Sequence, residues 1–150
     1  MAIILKLALG FAKISLSQDS IKLRVFAEVV APKWAEGRTL PDYVFRTSGL
    51  LRSYSYVLQN REFVSKFQCY CGCGGEEGHN DLAECFIADE ELQSHASTCA
   101  VCVAEVLDIM RYREEGKSFN EISEYIVKTY SVFGTPTQED IENKPKRKEE

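Results

Sequence analysis

The spacing of apolar residues between residues 39 and 67 is typical of α-helix. Apolar side chains recur at intervals of three or four positions, at Leu50, Leu51, Tyr54, Val57 and Leu58. A helix gathers these positions on one face, so the pattern predicts a stripe that faces a core. Pro41 suits the first turn of a helix, and Asn60 is expected to cap or restart a short helix that extends to Phe67.

A second helical region is predicted after residue 100. Residues 101–112 form an amphipathic run, and Gly116 is a natural C-terminal stop for it. Ser118 and Glu121 have the spacing of a capping box, in which each side chain bonds the other residue's backbone N–H. Apolar residues of the helix that follows share one face: Ile122, Tyr125, Ile126 and Tyr130. Because the connection is short, the two helices should lie antiparallel.

These patterns predict a mainly α fold, namely a small helical domain with an irregular loop rich in cysteine and glycine. Residues 1–36 are interpreted as an N-terminal segment, an amphipathic or docking element plus a linker, which contains a short helix or strand. Its apolar part is a candidate surface for a protein partner or a membrane. Residues 37–134 form the predicted helical metal-binding domain, and residues 135–150 a flexible charged tail.

Length and charge narrow the function. A chain of 150 residues can bury a core without disulfides or metal for bulk stability, so its cysteines require another explanation. The formal net charge of -5 and the pI of about 5.2 argue against nucleic acid as a partner, because such binding needs clustered Lys and Arg. Cysteines in an intracellular chain indicate metal or redox chemistry, whereas in a secreted chain they indicate disulfides.

All six cysteines and both histidines lie between residues 69 and 102. We predict all of them as metal ligands: Cys69, Cys71, Cys73, His79, Cys85, His95, Cys99 and Cys102. In extended backbone alternate residues point the same way, so the cysteines at 69, 71 and 73 can converge on one ion. His95, Cys99 and Cys102 fall on one face if a single helix carries them. Cys99 and Cys102 also form a C-x-x-C pair suited to one tetrahedral ion.

The ligand set predicts a soft ion, with zinc as the first choice, copper(I) as the alternative and an iron–sulfur cluster third. Eight ligands allow one ion, two ions, or two ions that share thiolates. The predicted function is soft-metal binding, either as structural zinc or in copper or zinc storage or trafficking. The alternative is a thiol–disulfide redox protein that cycles Cys99 and Cys102 or the 69–73 loop. No catalytic residue is predicted.

The cysteine pattern also resembles a known family. Residues 67–74 spell Phe-Gln-Cys-Tyr-Cys-Gly-Cys-Gly, and Gly78-His79, Leu82-Ala83-Glu84-Cys85-Phe86 and His95-Ala96-Ser97-Thr98-Cys99-Ala100-Val101-Cys102 follow. This combination is similar to the family named for its PCYCGC motif, small proteins of uncharacterised function that are often bacterial lipoproteins. Gln68 stands where the motif has proline. The resemblance implies an extracytoplasmic or membrane-associated location, but we find no clear signal peptide or lipid-carrying cysteine, and leave the location open.

Overall fold

A computed structural model describes residues 40–73 and 77–137. Within those residues the fold is mainly α, as predicted. The elements, in chain order, are a 3₁₀ helix Asp42–Phe45, α1 Ser48–Val64, a 3₁₀ helix Ala83–Cys85, β1 Ile87–Ala88, β2 Glu91–Leu92, α2 His95–Thr98, α3 Ala100–Glu114 and α4 Phe119–Tyr130. The predicted N-terminal element and its boundary near residue 36 lie outside the described residues.

Helix α1 forms one side of the hydrophobic core. The Thr47 hydroxyl accepts a hydrogen bond from the N–H of Leu50 at 3.1 Å, which satisfies a donor at the start of the helix. Asn60 interrupts the helix with a non-helical backbone (φ -130°, ψ 29°), in agreement with the predicted restart. Its side-chain N–H donates to the carbonyl oxygen of Tyr56 at 2.9 Å, so the side chain compensates locally for the broken backbone ladder.

Helices α3 and α4 form a hairpin whose connection follows the predicted signals. Gly116 adopts a positive φ of 79°, a conformation that is unfavourable for other residues. Its N–H donates to the backbone carbonyl of Arg113 at 3.0 Å. The Ser118 hydroxyl accepts from the N–H of Glu121, and the Glu121 carboxylate accepts from the N–H of Ser118 at 2.9 Å. The capping box is therefore confirmed.

Asp108 on α3 ties the two helices of the hairpin together. Its carboxylate accepts hydrogen bonds from the hydroxyls of Tyr125 at 3.1 Å and Tyr130 at 2.7 Å. The ring of Tyr125 also lies 4.5 Å from that of Tyr112, one turn further along α3. Residues later in α4 therefore contact residues earlier in α3, which is the predicted antiparallel arrangement.

One hydrophobic core joins α1, α3 and α4. Its fully buried side chains include Tyr54, Val57, Phe86, Val106, Ile109, Ile122 and Ile126. Burial of each such side chain contributes roughly 1.5–3 kcal/mol to the free energy of unfolding, relative to an exposed one. The core therefore stabilises the packing of the three helices. None of the described helices is both long and apolar enough to cross a bilayer.

A small hairpin of β1 and β2 connects the core to the downstream cysteines. Ile87 pairs with Leu92 across the antiparallel strands, and the turn residues Asp89 and Glu90 have φ values of 50° and 61°. The Tyr54 hydroxyl donates to the carbonyl of Gln93 at 2.6 Å. Because Gln93 lies two residues before His95, this bond fixes the approach of the chain to the cysteine-rich region.

Candidate metal centre

The fold brings the predicted ligands together from four parts of the chain. Cys69, Cys71 and Cys73 follow α1, and Cys85 ends the second 3₁₀ helix. His95 begins α2, and Cys99 and Cys102 lie where α2 meets α3. His79 comes from the loop between the first two parts. All eight side chains belong to three overlapping sets of donor atoms. None of these sets contains both Cys69 and Cys73, so the cysteines at 69, 71 and 73 do not converge on one ion as predicted.

The inner group consists of Cys69, Cys71, Cys85 and Cys102, whose sulfur atoms all lie within 4.8 Å of one another. Three of these residues are fully buried, and Cys71 is partly exposed. The sulfur atoms of Cys69 and Cys102 are 3.5 Å apart. A tetrahedral zinc ion with Zn–S bonds of about 2.3 Å separates its sulfur ligands by about 3.8 Å. The inner group therefore has nearly the dimensions of a tetrahedral thiolate site.

The outer group consists of Cys71, Cys73, His95 and Cys99, with the same limit of 4.8 Å between donor atoms. All four residues are partly exposed. Cys71 Sγ lies 3.8 Å from His95 Nε2, close to the separation of about 3.6 Å expected between sulfur and nitrogen ligands of one tetrahedral ion. Cys71 belongs to both groups.

His79 completes a third set with Cys85 and His95. Its side chain is buried, and its Nδ1 has no hydrogen-bond partner among the described residues. Burial lowers the pKa of His79, with His95 as the second cause, so the ring stays neutral, the form that binds a metal. A buried nitrogen without a partner is costly, and an ion beside it would remove that cost.

The helix predicted across His95, Cys99 and Cys102 is wrong in one respect. Helix α2 ends at Thr98 and α3 begins at Ala100, because Cys99 adopts an extended backbone (φ -112°, ψ 106°). This break turns Cys99 towards the outer group while Cys102, in the first turn of α3, faces the inner group. None of the three sets in the described residues contains both, so they are not arranged on one ion as the C-x-x-C spacing suggested.

The thiols of the centre are free, and they change the pKa of their neighbours. All six cysteines are unbridged. Hydrogen bonding with Cys102 lowers the pKa of Cys71, and hydrogen bonds to Cys71 and Cys99 raise the pKa of His95 to about 10. The N–H of Cys73 also donates to Cys71 Sγ at 3.4 Å. Contacts with the neighbouring cysteines raise the pKa of Cys102, so the centre contains both thiols and thiolates, and a cation bound there would displace protons.

Glu105 is a residue of the site that sequence reasoning missed. It is fully buried in α3, and its Oε1 accepts from the N–H of Tyr70 at 2.9 Å. Burial, and then the charge of Cys69, raise the pKa of Glu105 to about 11. The Glu105 carboxyl group therefore holds residues 69–73, here called the cysteine loop, in place without adding negative charge. The available signal was an acidic residue three positions after Cys102 on the apolar face of a helix.

The segment after α4 packs directly on the cysteine loop. An ideal Cβ at Gly134 would lie 2.6 Å from the Cα of Gly72, so only glycine fits there. The N–H of Thr137 donates to the carbonyl of Cys69 at 3.0 Å, and the N–H of Cys69 donates to the Thr137 hydroxyl at 3.3 Å. Thr137, assigned from sequence to the tail, is fully buried, and residues 138–150 lie outside the described part.

Together, the fold and the centre define a small helical protein with a cluster of cysteine and histidine side chains. The chain belongs to the family of proteins of unknown function with a PCYCGC motif, whose model matches residues 27–141. No curated protein and no solved structure matches the chain. The family has no known function, so the function of this chain is inferred from the residues of the centre.

Proposed function

We propose that this protein binds a soft metal ion, with one zinc ion held by the inner group as a structural site. The observation that carries the proposal is the convergence of Cys69, Cys71, Cys85 and Cys102, four free thiols within 4.8 Å, in the interior of the domain. Burying four polarisable sulfur atoms at this spacing without bonds between them is what a four-coordinate thiolate site requires.

The burial of the inner group favours a divalent ion over copper(I). Four thiolates around a divalent ion retain two formal negative charges, whereas a monovalent ion would leave three in the same buried space. Uncompensated charge in a protein interior costs several kcal/mol per ion, so zinc is the better fit to this donor set. Glu105, whose pKa is raised to about 11, adds no further negative charge nearby.

The closed surroundings of the inner group favour a structural role for its ion. Cys69, Cys85 and Cys102 have no exposed surface, so an incoming ligand has little access to an ion between them. Structural zinc sites are closed in this way, with four protein ligands and no open position. The ligands also come from segments as distant as Cys69 and Cys102, so the ion would join α3 to the loop after α1 and stabilise the fold.

The experiment is elemental analysis with native mass spectrometry on protein purified anaerobically without added metal. We expect the protein to contain stoichiometric zinc. Cys102→Ser should lose the zinc of the inner group, because it removes one of the four ligands. Cys73→Ser serves as the matched control, because Cys73 lies outside the inner group, and it should retain the tightly bound ion. Copper(I) in place of zinc would change the identity of the ion and leave the proposed site unchanged. Metal-free protein that is two hydrogens lighter for every two cysteines would support the thiol–disulfide alternative instead.

A further inference from the structure

We infer that the centre binds two ions at once, and that the thiolate of Cys71 bridges a closed inner ion and an exchangeable outer ion. The outer ion is held by Cys73, His95 and Cys99 in addition to Cys71. This inference rests on the proposed function, to which it adds a second ion, a bridging ligand and a division of roles.

The geometry of Cys71 is the first argument. Its sulfur lies within 4.8 Å of every other donor atom in both groups, and 3.8 Å from His95 Nε2. A thiolate sulfur has more than one lone pair and can bind two ions, whereas an imidazole nitrogen has a single lone pair. The residue shared by the two tetrahedral groups is thus of the type that chemistry allows in a bridge.

Charge is the second argument for a second ion. If all six cysteines ionise around one divalent ion, four formal negative charges remain in the centre, and a second divalent ion reduces them to two.

The exposure of the two groups separates their roles. Every residue of the outer group is partly exposed, whereas only Cys71 of the inner group is. Thiolate-bound ions exchange when an incoming thiol reaches the ion and displaces one ligand at a time. A thiol-bearing acceptor can therefore reach the outer ion first, and the outer site is the one suited to storage or transfer.

The third set, with His79, does not add a third ion. It shares His95 with the outer group and Cys85 with the inner group, so His79 would be the only ligand it contributes alone. An ion in that set would take His95 from the outer group and Cys85 from the inner group, so His79 can add a ligand to one of the two ions but not a third ion. Ser118→Ala, in the capping box of α4 and outside all three sets, is expected to leave two ions bound and is the control.

The experiment is ¹¹³Cd nuclear magnetic resonance on the full chain loaded with cadmium-113 as the probe. We expect two resonances, with the all-thiolate inner ion downfield of the ion that has an imidazole ligand, and a scalar coupling between them through the shared sulfur. Uncoupled resonances would overturn the bridge, and a single resonance would overturn the second ion. Failure to bind any cadmium would overturn the proposed function itself.

Variants and release kinetics test the division of roles. Cys73→Ser should leave only the inner resonance, and both resonances should remain in Ser118→Ala. Retention of both resonances in Cys73→Ser would overturn the ligand assignment. With excess chelator we expect biphasic release of zinc from the full chain, with the fast phase absent from Cys73→Ser. Release in a single phase from a protein that binds two ions would overturn the exchangeable outer site.

Discussion

The α3–α4 hairpin and the cysteine centre share helix α3, yet different kinds of contact hold them. The hairpin depends on neighbours in sequence, such as the Ser118–Glu121 capping box and the turn at Gly116. The centre depends on partners far apart in the chain, such as Cys69 with Cys102 at 3.5 Å. The difference teaches that local sequence sets the turn and the cap of the hairpin, whereas the centre needs the finished fold and, on our proposal, its ions.

Metal removal should produce the largest difference between the two regions. If free zinc is present at about 1,000 times its Kd, its removal lowers the free energy of unfolding by about 4 kcal/mol. Under reducing conditions with chelator, we expect amide hydrogen exchange to accelerate in residues 69–73 and 95–99. Helix α4 should keep its protection, because its contacts with α3 involve no thiol. Equal loss of protection in both regions would contradict the comparison.

The Glu105 carboxyl links the shared helix to the cysteine loop, and its replacement should have the next largest effect. Glu105→Leu leaves the buried N–H of Tyr70 without its acceptor, which should cost about 1–3 kcal/mol of unfolding free energy. Glu105→Gln is the matched control, because it keeps an acceptor of nearly equal size, and should cost less than about 1 kcal/mol. Chemical denaturation measures both. Equal costs would show that the hydrogen bond to Tyr70 is unimportant.

The contact between Gly134 and Gly72 supports the centre from outside the ligand set. Gly134→Ala forces a methyl group against the backbone of Gly72, and overpacking of this kind costs about 1–3 kcal/mol. Gly49→Ala is the control, because an added Cβ there meets its nearest atom at an ordinary 3.7 Å. It should be neutral or stabilising by about 0.5 kcal/mol, since alanine favours helix. We expect only the first variant to weaken zinc binding in a competition assay.

The smallest expected effect belongs to the hairpin. Ser118→Ala removes the helix cap and should cost about 1 kcal/mol without changing the bound metal. Hydrogen bonds from Ser118 lower the pKa of Glu121. The Glu121 carboxylate therefore stabilises the fold above the ordinary carboxyl pKa, and this stabilisation is lost as the pH falls through the lowered pKa of Glu121. Ser118→Ala keeps the backbone N–H, which is the first cause of the lowered pKa, and removes only the hydroxyl. The pKa of Glu121 should therefore rise only part of the way towards its ordinary value, as measured by nuclear magnetic resonance titration. Loss of metal from this variant would contradict the independence of the two regions.

Most of the helical fold was predictable because its signals are local. The stripe on α1, the stop at Gly116 and the capping box each depend on residues within a few positions of one another, and all appear in the structure. The break at Cys99 was not predictable, since the sequence around it allows one continuous helix. The extended backbone of Cys99 coincides with contacts from the loop after α1, which no local pattern encodes.

By itself the sequence determined the mainly α class, the family and the set of soft ligands, because helix periodicity and side-chain chemistry are properties of neighbouring residues. Only the tertiary structure decided how those ligands divide between an inner and an outer group that share Cys71. It also decided that Glu105 and Thr137 support the cysteine loop. The physical reason is distance along the chain: Tyr70 and Glu105 are 35 positions apart, Cys69 and Thr137 are 68, and only packing of the core brings them together.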